Sequence, residues 1–240
     1  MNVLLSGVSK GLGLEICKQL LQGGHVVYGL SRSHSAGLKT LEEVYGDKLK
    51  WMSYDLANAT DVHITIFKEW IGNATPIHAF INNAAQAYDD IVTNLKLEPL
   101  EQMYRVNVFT PMMMTRSAIR NMLLHNVAGS IVHVSSISVH TGYKGLAMYA
   151  STKGALEAFS KNTAREWGEK GIRSNALVAG FMETEMSSAL DDDKKARIYA
   201  RTSLKKAVSI ESCAQTICFL ISDAAASISG QNIHVDNGTI

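Results

Sequence analysis

Short runs that are apolar on both faces recur along the chain at residues 2–6, 25–31, 49–54, 78–82, 130–135, 172–178 and 232–235. Between them lie longer stretches with apolar residues at helical spacing, as in Leu14, Ile16, Cys17, Leu20 and Leu21. Strands apolar on both faces, separated by helices, are what a parallel sheet covered on both sides requires, with right-handed crossovers. The pattern predicts an α/β fold: a doubly wound parallel sheet of about seven strands with helices on both faces. Helix stops agree with it, at Gly23-Gly24, Gly46, Gly72-Asn73, Gly168 and Gly171. No Pro- or Ser-rich linker, repeat or low-complexity tract interrupts the pattern, so one domain over residues 1–240 is expected.

Composition narrows the class of partner. Hydrophobic residues are 46% and charged residues 19%, as in ordinary globular proteins. Lys plus Arg (23) nearly balance Asp plus Glu (22), for a net charge of +1, so neither nucleic acid nor a membrane surface is an expected partner. Cys17, Cys213 and Cys218 form no CxxC and no Cys/His cluster at zinc spacing, which points to reduced thiols and no metal. With no basic leader and no long apolar run, the expected location is the cytoplasm. The charge run at residues 191–195 compensates its own signs and reads as a solvated helix start or loop, or as part of a mobile flap.

Directly after the first strand stands Gly7-Val8-Ser9-Lys10-Gly11-Leu12-Gly13, followed by the first helical pattern. Glycines permit a tight turn and close backbone approach, and a helix N-terminus presents unpaired N–H groups to a pyrophosphate, so this is a Rossmann-like dinucleotide site or, more plainly, a βα turn. A cofactor with a free ribose 2′-OH usually meets an Asp or Glu after the second strand. Residues 30–35 carry none, and the first acid is Glu42, whereas Arg32 and Lys10 bring cations to both sides of a 2′-phosphate. Singly each is ordinary surface charge; the pair plus the missing acid favours NADP(H) over NAD(H).

On a helix from Leu146, Tyr149 and Lys153 fall at i and i+4 on one face. A cation about 4 Å from the phenol, at an effective dielectric of about 20, contributes roughly 4 kcal/mol, enough to lower its pKa by two to three units and make Tyr149 a general acid. YxxxK alone is common on exposed helices. Here the strand at 130–135 runs into Ser136, whose hydroxyl can hydrogen-bond the carbonyl that Tyr149 protonates, with Ser135 and Ser138 as competing candidates. Asn107 precedes Pro111 by four residues, so its carbonyl loses its helical donor. That carbonyl could hold a proton-relaying water, or the helix is simply kinked there.

Ser6-Gly7-xxx-Gly11-x-Gly13, Asn82-Asn83-Ala84-Ala85, Asn107, Ser136, Tyr149-xxx-Lys153 and residues 235–238 together resemble the short-chain dehydrogenase/reductase family, its 3-oxoacyl-acyl-carrier-protein reductase type above all. The resemblance implies that Asn107, Ser136, Tyr149 and Lys153 are catalytic, with Lys153 also bonding the nicotinamide ribose. Ser6, Gly7, Ser9, Lys10, Gly11, Leu12, Gly13 and Arg32 are expected to bind the cofactor, and the resemblance implies that Asp55 and Leu56 flank the adenine. It places Asn82 and Ala84 along the groove, Gly180 and Thr184 by the carboxamide, and a substrate flap over about 183–206. Family members are usually tetramers. Ala85 stands where the family has glycine, and Ala179 where it has proline.

The activity expected is NADPH-dependent hydride transfer to a ketone or 3-oxoacyl carbonyl, giving a secondary alcohol, on a small molecule or an acyl thioester. Acyl carrier protein as a partner calls for a basic patch, yet residues 121–128 hold no Lys or Arg, leaving Lys170 and Arg173 as the alternative cations. The rivals are a reductase of a small cyclic or sugar-derived ketone and an NADP(H)-sensing regulatory protein. Helices over 98–125 and 146–168 carry more apolar residues than one buried stripe needs, Met103, Met112, Met113, Met114 and Met122 among them. They are expected either to pair subunits into a homotetramer or to pack adaptably within the chain.

Overall fold

A computed structural model describes residues 1–184 and 191–240. Its centre is a seven-stranded parallel sheet in the order β3-β2-β1-β4-β5-β6-β7. The strands are β1 (Asn2–Ser6), β2 (Val26–Ser31), β3 (Leu49–Ser53), β4 (Ala79–Asn82), β5 (Ser130–Ser136), β6 (Arg173–Ala179) and β7 (Asn232–Val235). Each coincides within a residue or two with an apolar run read from the sequence. Sequence direction along the sheet reverses between β1 and β4, and that crevice at the strands' carboxyl ends is where such sheets take ligands.

The helices are α1 (Gly11–Gln22), α2 (Ala36–Tyr45), the π-helical α3 (His63–Ile71), α4, the four-residue α5 (Ser138–Thr141), α6 (Ala147–Trp167), α7 (Asp192–Arg201) and α8 (Ile210–Ile221). Helix α4 runs through Leu97–Tyr104, a π-helical stretch Arg105–Phe109, and Thr110–Leu124. Period-2 alternation sorts each strand onto two cores. Val3, Leu5, Ile81, Val132 and Leu177 pack with α1 and α8, while Leu4, Tyr28, Phe80 and Ile131 pack with α3 and α4.

Met103, Met114 and Met122 are buried within the chain, so much of the methionine content of α4 is internal packing. Phe109 and Leu124 stay 50% and 64% exposed. All three cysteines are free thiols, and burial pushes Cys17 and Cys213 up to about 12 and Cys218 up to about 11, which disfavours their thiolate forms. Among the described residues no helix is long and apolar enough to cross a membrane, and no three metal-binding side chains cluster. Of the proposed flap, residues 185–190 lie outside the described residues, and α7 forms most of the remainder.

Candidate active site

The glycine-rich turn leaves β1 at Ser6 and is tied to the end of β2, because the N–H groups of Gly7 and Val8 both donate to the Leu30 carbonyl at 2.7 and 3.2 Å. This ties the start of the turn to Leu30 at the end of β2, two residues before Arg32. A Cβ at Gly13 would stand 1.9 Å from the Gly7 carbonyl oxygen, and Gly7 itself has φ +79°, so glycine is obligatory at both. The first turn of α1 has no acidic residue and no side-chain cap, which leaves its N–H groups for an anion. The cradle and its donors fit a dinucleotide pyrophosphate.

Several of the expected groove residues serve it from beneath. Ser6 is buried, its Oγ donating to Asn82 Oδ1 (3.3 Å) and accepting from the N–H groups of Asn83 and Ala84 (3.1 Å each). Asn82 is equally buried, and Leu12 sends its side chain into the core, so only its backbone faces the turn. Asn83, which carried no role in the sequence reading, donates to the carbonyls of Ser6 and Gly7 and locks the turn to β4. Its place in the Asn82-Asn83 pair was the available signal.

Past β2, Trp51 Nε1 donates to Ser31 Oγ at 2.8 Å, Ser31 Oγ donates to the Ser33 carbonyl at 2.9 Å, and Ser53 Oγ donates to the Arg32 carbonyl at 3.3 Å. Arg32 is exposed on this pinned loop. Glu42, the first downstream acid, lies 2.8 Å from His34 Nε2, and the His34 ring stacks on Trp51 at 4.4 Å. After β3, Asp55 is exposed and accepts from the Ala57 N–H, while Leu56 is buried and its carbonyl accepts from Thr110 Oγ1 at 2.6 Å. Gly180 donates to the Val235 carbonyl so close to Asp236 that a Cβ would stand 2.7 Å from its Cα. Thr184 sits opposite the turn, its Cγ2 3.8 Å from where a Cβ on Gly11 would be.

At the carboxyl end of β5 the three serine candidates separate. The Ser135 side chain is buried and donates to Glu157 on α6. Ser138 is buried too, its N–H and Oγ donating to Ser136 Oγ at 3.2 and 3.0 Å. Ser136 alone is partly exposed. The two bonds from Ser138 occupy its lone pairs, leaving its own proton to be donated outward.

Asn107 lies in the π-helical stretch of α4 and is 1% exposed. Its Nδ2 donates to the Gln86 carbonyl (2.8 Å) and to Thr152 Oγ1 (3.0 Å), and its Oδ1 accepts from the Gln86 N–H (2.8 Å). The side chain is fully engaged, and Pro111 deprives the backbone carbonyl of its usual helical donor. The kink expected from Pro111 takes the form of a widened turn, in which the Thr110 N–H donates to the Arg105 carbonyl. Thr152 escaped the sequence reading because nothing local marks a threonine beside Lys153 as a contact of a residue 45 positions away.

The electrostatics correct one expectation. Lys153 was expected to lower the Tyr149 pKa, but Lys153 Nζ donates to the Val134 carbonyl at 2.8 Å and lies 5.6 Å from the Tyr149 ring centre, under the ring. Burial pushes the Tyr149 phenol up to about 12, and the Asp89 carboxylate adds to the rise. Lys153 is 2% exposed, and that desolvation brings its ammonium down to about 8. Spacing on a helix placed the two residues together; it did not reveal which atom of the tyrosine the ammonium meets. A second correction concerns Arg173, whose guanidinium donates to the carbonyls of Leu220, Ser222 and Ile228. It starts β6, at the opposite end of the strand from the site, and cannot form a basic patch at the mouth.

This sheet, turn and side-chain set define an oxidoreductase of the short-chain dehydrogenase/reductase family, to which the chain belongs: the family model described as enoyl-(acyl carrier protein) reductase matches residues 7–239. Among its relatives, the 3-oxoacyl-acyl-carrier-protein reductase FabG of Escherichia coli (strain K12) is 28% identical over 235 residues, covering 98% of this chain and 95% of its own. Carbonyl reductase (NADPH) 2 of Sus scrofa is 30% identical over 242 residues, covering 99% and 96%. Two solved structures share the fold. A 4-hydroxyisoleucine dehydrogenase complexed with NADH matches with a TM-score of 0.93 at 24% identity, covering 99% of this chain and 98% of that one. An actinorhodin polyketide ketoreductase with NADPH matches with a TM-score of 0.89 at 24% identity, covering 99% and 96%.

Proposed function

We propose that this protein is an NADPH-dependent reductase that converts a ketone or 3-oxoacyl carbonyl to a secondary alcohol. The observation that supports the reading is that α6 carries Tyr149 with Lys153 under its ring, that Lys153 is bonded to β5 two residues before Ser136, and that Asn107 is bonded to Thr152 of the same helix, in a sheet whose first strand ends in the glycine turn. The nicotinamide, when bound, supplies the hydride. Ser136 donates a hydrogen bond to the carbonyl oxygen, where negative charge develops. Tyr149 delivers the proton; a phenol that stays protonated to about 12 holds that proton throughout the neutral range. Lys153, placed under the ring, is the residue to hold the nicotinamide ribose, while the Asn107 carbonyl holds a water that returns protons to Lys153.

The substrate is a small ketone or a 3-oxoacyl thioester, a reading supported by one relative named as a 3-oxoacyl-acyl-carrier-protein reductase and another named as a carbonyl reductase. Docking of acyl carrier protein has little support, since residues 121–128 carry no cation and Arg173 is spent internally. We further propose a cytoplasmic homotetramer, in which exposed Phe109 and Leu124 of α4 meet a second subunit.

The test is NADPH oxidation with a panel of ketones and 3-oxoacyl thioesters, for the native chain and for Tyr149→Phe. The variant keeps the ring and loses the proton, so NADPH binding is retained and kcat falls by about 10²–10⁴-fold. Near-native turnover by Tyr149→Phe would overturn the mechanism. Tight NADPH binding with no turnover of any carbonyl by the native chain would favour the sensing protein instead.

A further inference from the structure

Glu157 on α6 is a carboxylate only 6% exposed that takes no part in the chemistry above. A buried carboxylate is tolerated when donors meet its oxygens, and here they come from three other elements. Ser135 Oγ of β5 donates to it, as does Asn232 Nδ2 of β7 at 2.7 Å. His140 Nε2 of α5 lies 3.0 Å from one carboxylate oxygen and 3.2 Å from the other. His234 of β7 also faces His140, its ring centre 4.9 Å away.

Helix α5 has four residues and is too short to hold its own shape through backbone bonds. Yet it carries Ser138, both of whose donors orient Ser136 Oγ. His140 stands two residues beyond Ser138, so its contact with Glu157 fixes α5 against α6. Glu157 also lies one helical turn past Lys153 and two past Tyr149. One carboxylate therefore ties the serine end of the site to the helix that bears the tyrosine and the lysine.

We propose that Glu157 is a positioning residue that, through His140 and Ser135, sets the direction of the Ser136 hydroxyl relative to Tyr149. The inference rests on the reading of Ser136 as the donor to the substrate carbonyl. In Glu157→Gln the carboxamide keeps the shape but has a single acceptor oxygen for three donors. His140→Leu removes the donor, whereas His140→Gln retains an N–H for Glu157 without the imidazole.

The experiment measures kcat and KM for a ketone at saturating NADPH, the Kd for NADPH by its fluorescence, and amide hydrogen exchange over residues 136–142. Glu157→Gln and His140→Leu are expected to lose about tenfold in kcat, to keep the NADPH Kd within about twofold, and to exchange faster over 136–142. His140→Gln is expected to recover most of the activity and protection. Native kcat in His140→Leu, or an equal loss of NADPH affinity and kcat in both variants, would overturn the proposal. Should the native chain reduce no ketone, the functional reading falls, and the exchange of 136–142 still decides this inference: unchanged exchange in both variants defeats it.

Discussion

At the scale of single residues, charge and burial decide behaviour that residue type alone does not. Arg32 is exposed on a loop held by Ser31, Ser53 and Trp51, while the first downstream acid is occupied by His34. Arg32→Asp replaces attraction for a 2′-phosphate with repulsion, so the NADPH-over-NADH affinity ratio is expected to fall by at least about tenfold. Fluorescence titration with both nucleotides checks it, and an unchanged ratio would remove Arg32 from cofactor selection. His133 on β5 is fully buried against Phe80 and Phe159, and desolvation followed by the charge of Lys153 takes its pKa from an ordinary 6.5 down to about 3. The folded protein keeps it neutral to about pH 3, whereas the unfolded chain takes up the proton below about 6.5. Unfolding therefore binds a proton in that window, and stability falls as pH drops through it. In His133→Asn this contribution is absent, so the decline of Tm from pH 6.5 toward 4 should be shallower, as calorimetry would register. Parallel declines in the two proteins would show that His133 does not drive acid unfolding.

Elements place these residues, and α4 does so by departing from regular helix. Its π-helical stretch turns Asn107 so that the side chain spans Gln86 and Thr152. Thr152 is fully buried, accepting from Asn107 Nδ2 and donating to the Tyr149 carbonyl at 2.7 Å. Thr152→Val keeps the shape but strips a buried donor of its partner, a loss of about 1–3 kcal/mol. Urea unfolding is expected to show that loss together with a lower kcat, because Asn107 and the tyrosine helix share the bond. A variant as stable and as active as the native chain would mean that Asn107 is held by Gln86 alone. The strands were legible from their apolar runs because both faces of a central parallel strand are dry. The widened turn was legible only as a kink at Pro111, since the number of residues per turn depends on what the helix packs against.

For the whole molecule, the exposed Phe109 and Leu124 on α4 remain after the two cores are filled. If they pair subunits, light scattering at micromolar concentration is expected to give a mass about four times that of one chain. Phe109→Asp is then expected to lower that mass, because a charge would be buried without a partner. A monomer mass for the native chain would refute the assembly. By itself the sequence determined the parallel sheet, the glycine turn and the residue types at Ser136, Tyr149, Lys153 and Asn107, because periodicity and backbone freedom are local properties written in neighbouring positions. Only the tertiary structure decided that Ser136 rather than Ser135 or Ser138 faces outward, that Lys153 lies under the tyrosine ring, and that Arg173 is spent on carbonyls. It alone brought Glu157 to β5, α5 and β7. These outcomes depend on burial and on partners up to 75 residues apart, which no spacing along the chain encodes.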